Sequence, residues 1–168
     1  MKLKRCIPLI INPATDGKKM AKVIREKKMA VSQEALFKTI TEFEKYPDFL
    51  KEVVGAKVVG KRTPEKIRVQ FEIEIVRKFI YILEFSIVSK NEITWKLIES
   101  DFFKQNEGRW ILNSNGTHET AVHYELEVGV VFLIPSWISN KLTEVNLPKM
   151  FDSFESRARE LSETEARN

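Results

Sequence analysis

Between Ile67 and Ile75 the chain alternates without a fault: Ile67, Val69, Phe71, Ile73 and Ile75 are apolar, and Arg68, Gln70, Glu72 and Glu74 between them are polar. A period of two puts successive side chains on opposite faces of an extended strand, so one face of this segment belongs to a core and the other to water. The same pattern continues downstream. Phe79, Tyr81, Leu83, Phe85 and Ile87 share a face, and after a turn at Asn91 so do Ile93, Trp95 and Leu97, then Gly108, Trp110 and Leu112. Asn113-Ser114-Asn115-Gly116 reads as a hairpin turn, because Asn and Gly tolerate positive φ. The last strand turns Val122, Tyr124, Leu126 and Val128 inward and Ala121, His123, Glu125 and Glu127 outward. Val53 to Lys61 and the charge-rich Ala21 to Val31 complete the strands. Strands this close in sequence, joined by short turns, pair antiparallel.

Two helical regions flank this run. Ser32 is a good N-cap, its hydroxyl able to accept a free amide of the first turn. Leu36, Phe37, Ile40 and Phe43 follow at helical spacing, so that helix docks one apolar face. Pro47 is expected to end or kink it, with Phe49 and Leu50 anchoring the exit. A C-terminal helix is expected from near Pro135 to about Ser162. Its stripes, Ile138, Leu142 and Val145, then Leu147, Phe151, Phe154, Ala158 and Leu161, face nearly opposite sides of a straight helix at about 100° per residue. A break or strong kink is therefore expected at Asn146-Leu147-Pro148. The order strand, helical segment, about six strands, helix gives the class α+β, with helices on one face of an antiparallel sheet.

A length of 168 residues suits one domain. Residues 1–18, with turn signals at Asn12-Pro13 and Asp16-Gly17, are expected to form a partly disordered arm. Residues 19–163 form the domain and residues 164–168 a tail. With 43% apolar and 31% charged residues the composition is that of a soluble globular protein. No apolar run approaches the roughly 20 residues that cross a bilayer. The basic start Met1-Lys2-Leu3-Lys4-Arg5 precedes only a short apolar run broken by Pro8, and no signal peptide is read. Lone Cys6 fits a reducing compartment, so the expected location is cytoplasmic, with peripheral membrane contact as an addition. The net charge of +4 is spread among acidic residues, which describes a mixed solvated surface and leaves room for weak attraction to anionic lipid or RNA.

Catalytic chemistry has few candidates. His123 has outward parity and His118 lies near the rim, so the two cannot form a metal pair or relay. Strand parity sends Glu72, Glu74, Glu84, Glu125 and Glu127 outward. Glu99 has inward parity after Ile93, Trp95 and Leu97, but at a strand end, and Asp101 follows in the turn; they guard a pocket mouth or are simply solvated. Cys6 has no partner for a nucleophile's role, and no zinc cluster, phosphate loop or dinucleotide fingerprint occurs. No cofactor, metal or catalytic residue is assigned. The inward aromatic residues Phe71, Tyr81, Phe85, Trp95, Trp110 and Tyr124, with Trp137 beside them, describe either a solid core or the wall of a cavity. Their hydroxyl and indole N–H groups need partners, which a ligand or trapped water would supply.

Several of these residues also carry a family likeness. Val31-Ser32 with Phe37, Phe43-x-x-Tyr46-Pro47-x-Phe49-Leu50, Phe103 with Gly108-x-Trp110, Gly116-Thr117, Ile134-Pro135 and the closing Arg157-Ala158 stand in the order and spacing of a known group. Over about residues 20–162 the chain resembles the START-like (SRPBCC) superfamily, in its polyketide cyclase and coenzyme Q-binding branch. The resemblance implies a helix-grip (START/Bet v 1-like) fold, a curved antiparallel sheet wrapped around a long C-terminal helix with a hydrophobic cavity between. It implies ligand-binding roles for Phe71, Ile73, Tyr81, Leu83, Phe85, Trp95, Leu97, Trp110, Tyr124, Trp137, Ile138 and Leu142. The function expected first is a non-catalytic carrier of an isoprenoid quinone or other lipid, with Tyr81, Tyr124 and the indoles orienting a polar head. The apolar segment from Val130 to Trp137, with Lys141 and Lys149 nearby, is either a lid touching a membrane surface or a buried strand end. The alternatives are a polyketide cyclase or dehydrase using Tyr81 and Tyr124, and an interaction module like a toxin-like relative that associates with ribosomal subunits.

Overall fold

A computed structural model describes residues 20–75, 77–131 and 147–165. Seven strands form one antiparallel sheet: β1 (Met20–Met29), β2 (Val53–Val59), β3 (Lys66–Glu74), β4 (Lys78–Ser89), β5 (Glu92–Ser100), β6 (Phe103–Ser114) and β7 (Thr120–Val130). Their spatial order is β1-β7-β6-β5-β4-β3-β2. Strands β2 to β7 are a simple meander, and β1 pairs with β7 from Met20↔Gly129 to Met29↔Thr120. The helical segment between β1 and β2 therefore carries the chain from one edge of the sheet to the other.

That segment comprises α1 (Gln33–Thr41), a 3₁₀ turn (Phe43–Lys45) and α2 (Tyr46–Phe49). Ser32 caps α1 as expected, its Oγ accepting from the Ala35 N–H at 3.2 Å. The expectation that this helix reaches Pro47 needs correction. α1 ends at Thr41, and Pro47 sits in the first turn of the separate α2, where its missing N–H costs nothing. The Tyr46 hydroxyl donates to the Ile40 carbonyl at 2.7 Å, satisfying an orphan group at the end of α1 and fixing the two helices together.

The C-terminal helix α3 (Leu147–Glu165) buries Leu147, Phe151, Phe154 and Ala158, four members of the second stripe, against the concave face of the sheet. The expected start near Pro135, the first stripe and the residue before the expected break, Asn146, lie outside the described residues. Two carboxylates fasten α3 to the end of β1. Lys27 Nζ lies 2.6 Å from Asp152 and 2.8 Å from Glu155, and the Ala30 N–H donates to Glu155 at 2.9 Å.

Strand parity held along β3, β4, β6 and β7, where Val69, Phe71, Phe85, Trp110, Leu112 and Tyr124 are all buried. Glu99 is the exception. A bulge in β5 sets Leu97 opposite Leu83 but Glu99 opposite Ile82, leaving Ile98 as the extra residue. One added residue reverses the facing of everything after it. Glu99 accordingly points to solvent and guards no mouth.

Candidate functional site

The sheet and its helices are packed solid at one end. There Ile93 and Leu112 have no exposed surface, and the Gln33 side-chain amide of α1 donates to the Leu112 carbonyl at 2.8 Å. At the other end, under the start of α3, the sheet and helices line a half-open cavity of about 290 Å³. This lies near the lower end of the range for small-molecule sites. β3 contributes Phe71 and Ile73, β4 contributes Tyr81, Leu83 and Phe85, and β5 contributes Trp95. β6 and β7 add Phe103, Asn106, Trp110, Tyr124, Leu126 and Val128; Leu147, Met150 and Phe154 close the top from α3.

Eight of the residues named from sequence are thus brought together: Phe71, Ile73, Tyr81, Leu83, Phe85, Trp95, Trp110 and Tyr124 all line this cavity. Leu97 does not; it packs, half-buried, against the core beside it. Trp137, Ile138 and Leu142 lie outside the described residues. Thirteen of the described lining residues were not named from sequence, Tyr46, Leu50 and Asn106 among them. Tyr46 and Leu50 come from the α2 region, whose marks had been read only as a helix exit. Asn106 was legible, since it shares the parity of Gly108, Trp110 and Leu112, but a polar residue does not stand out in a search for an apolar wall.

The wall is an aromatic mesh. Tyr124 packs edge-on to Trp110 with centroids 4.6 Å apart, Trp110 to Phe154 at 5.3 Å, and Tyr46 to Phe154 at 5.3 Å. Such offset and edge-on contacts match the quadrupoles of the rings and hold the wall stiff. At the centre the Trp95 indole N–H donates to Asn106 Oδ1 at 3.1 Å. This contact bridges a place where the sheet opens. The β5–β6 pairing runs from Glu92↔Ile111 to Trp95↔Gly108 and no further, although both strands continue.

Polar groups are few inside. Burial pushes the Tyr46, Tyr81 and Tyr124 hydroxyls well above the ordinary phenol range, so all three stay neutral and able to donate. The Tyr46 hydroxyl is spent on Ile40. Those of Tyr81 and Tyr124 have no hydrogen-bond partner among the described residues. Glu52 is the one formally charged residue among the described lining, and it is half-buried. The other carboxylates and both histidines lie elsewhere. On the convex face His123 Nε2 is 2.8 Å from Glu125, and Glu84 is buried between Arg68 at 2.8 Å and Lys96 at 3.4 Å. His118 is exposed in the β6–β7 loop. Among the described residues no cluster of His, Cys, Asp and Glu could hold a metal ion.

A half-closed sheet gripping a C-terminal helix over an apolar cavity defines a class of protein, and the comparisons place the chain in it. A family model described as polyketide cyclase / dehydrase and lipid transport matches residues 29–155, and the chain belongs to that family. Among solved structures it is similar to a START superfamily protein from Mycobacterium smegmatis, 23% identical, covering 83% of this chain and 98% of that one with a TM-score of 0.72. The Zhui aromatase/cyclase from Streptomyces sp. R1128 is 9% identical over 83% of this chain and 94% of its own, at a TM-score of 0.73. Ginseng major latex-like protein 151 from Panax ginseng is 12% identical over 83% and 97%, at 0.64. At these identities the likenesses speak for the helix-grip fold. Comparison with curated proteins found no match.

Proposed function

We propose that the protein binds a hydrophobic small molecule in this cavity and carries it without chemical change. The carrying observation is the cavity itself: about 290 Å³ walled almost wholly by aromatic and aliphatic side chains. Removing apolar ligand surface from water there is worth roughly 25 cal/mol per Å². The Tyr81 and Tyr124 hydroxyls, which no described residue engages, would orient a polar end, and an isoprenoid quinone or another lipid has the required chemistry. A chain longer than the cavity would have to leave part of its tail outside this wall.

A reaction needs an acid or base aimed at the reacting atom. Among the described lining Glu52 alone carries a formal charge, and its half-exposed position favours carriage over chemistry. The family also contains cyclases and dehydrases by its description, and Tyr81 and Tyr124 are the groups such a reaction would use here. Among the described residues no helix is long and apolar enough to cross a membrane. Extraction of the purified protein followed by mass spectrometry tests the carrier reading. A stoichiometric apolar compound is the expected result; protein that comes out empty and takes up no quinone or lipid in titration contradicts it.

A further inference from the structure

Asn106 is an asparagine, only 9% exposed, in a described wall built, Glu52 apart, of rings and aliphatic chains. Its amide could face either way, but an indole N–H can only donate. The hydrogen bond from Trp95 Nε1 therefore fixes the carbonyl oxygen of Asn106 toward the indole and leaves its NH₂ group to point elsewhere. That NH₂ has no partner among the described residues, and Asn106 lines the cavity. Nor do Tyr124, 5% exposed, or Trp110, 4% exposed, spend their O–H and N–H on a described residue. The unspent polar groups in this part of the wall thus share one property: each can donate a hydrogen bond. Donors that face a cavity are met by water or by the occupant, and an occupant that displaces the water keeps affinity only where it brings an acceptor of its own.

We propose that Asn106, held in orientation by Trp95, recognises a carbonyl oxygen on the bound molecule, with the Tyr124 hydroxyl as a second donor. The ligand class is then a hydrophobic carbonyl compound, rather than a bare hydrocarbon or an amine. Trp95 acts as a positioning residue, and Gly108 permits it to do so. A Cβ on Gly108 would stand 2.5 Å from Trp95 Cζ2, so only glycine lets the indole lie where its N–H meets Asn106. This inference rests on the carrier reading, and its test separates the two.

Hexanophenone and hexylbenzene differ only by a carbonyl in place of a methylene and make a matched pair of probes. Their affinities for the delipidated protein are measured by displacement of 1-anilinonaphthalene-8-sulfonate, with a melting curve for each variant. Wild-type protein is expected to prefer the ketone by about tenfold or more, as two hydrogen bonds to one oxygen would give. Asn106→Leu removes one of the two donors and should cut the preference to about threefold by weakening the ketone alone. Trp95→Phe, which leaves the asparagine present but free to turn, should lower the preference as well. Equal affinities in the wild type, or an unchanged preference in both variants, overturns the assignment while leaving the carrier reading in place. Should neither probe bind, both fall. The wild-type comparison decides even if Asn106→Leu fails to fold.

Discussion

Trp95 lies directly across Gly108. A methyl group on that glycine would stand 2.5 Å from indole Cζ2 and 2.1 Å from the backbone oxygen of Glu125 in β7. Neither obstacle is a flexible chain end: one is a buried ring hydrogen-bonded to Asn106, the other the neighbouring strand. Gly108→Ala should therefore force β6 and β7 apart or drive the indole into the cavity. A loss of about 3 kcal/mol is expected, at the upper end for overpacking, read as a lowered midpoint in urea with the slope unchanged. A variant as stable as the wild type would show that the wall gives way more easily than its geometry implies.

The three cavity tyrosines should separate cleanly. Tyr46→Phe removes the donor to the Ile40 carbonyl and leaves a buried acceptor unpaired, at a cost of about 1–2 kcal/mol in stability. Tyr81→Phe and Tyr124→Phe remove hydroxyls that no described residue uses, so stability should change by less than about 0.5 kcal/mol. The affinity for a carbonyl-bearing ligand should show the reverse ranking. Thermal melts and the displacement titration, run on the same three proteins, check both halves.

Acid should unfold the protein partly through Glu125. The Arg109 guanidinium at 2.7 Å, and after it His123 at 2.8 Å, hold this carboxyl down from the ordinary 4.5 to about 2. A carboxyl depressed by folding contributes stability that is fully present above its unfolded pKa, and that contribution is lost as pH falls through the folded one. The acid limb attributable to Glu125 thus lies between about pH 4.5 and 2. Glu84 and Glu155 are also lowered by their cationic partners and add to the acid sensitivity. Glu125→Gln should make stability fall less steeply across that window without making it flat, as followed by urea midpoints at successive pH values. An unaltered slope would mean that the Arg109 pair is not formed in solution.

Much of this fold was legible because it rests on one strong signal. Strands with one face in a core must alternate, so Ile67–Ile75 and its successors announced the sheet, and parity chose eight cavity residues from a single string. The failures came where parity is interrupted or irrelevant. The bulge at Ile98 turned Glu99 outward, and nothing in the local sequence marks an extra residue. Pro47 was read as a terminator because proline disfavours a helical residue before it, yet the same residue is equally suited to begin a helix, as it does in α2. Asn106 and Tyr46 act through tertiary hydrogen bonds, to Trp95 and Ile40, whose partners sit elsewhere in the chain and cannot be paired by spacing.

The space beneath α3 is expected to hold an apolar molecule. The most direct test of this occupancy is calorimetric titration of delipidated protein with hexanophenone, alongside Leu126→Trp, which fills the cavity from β7. One site per chain, a negative heat-capacity change from apolar burial, and loss of binding in a folded Leu126→Trp protein are expected. Binding that survives undiminished when the cavity is filled, or no binding by the wild type at all, would contradict that occupancy.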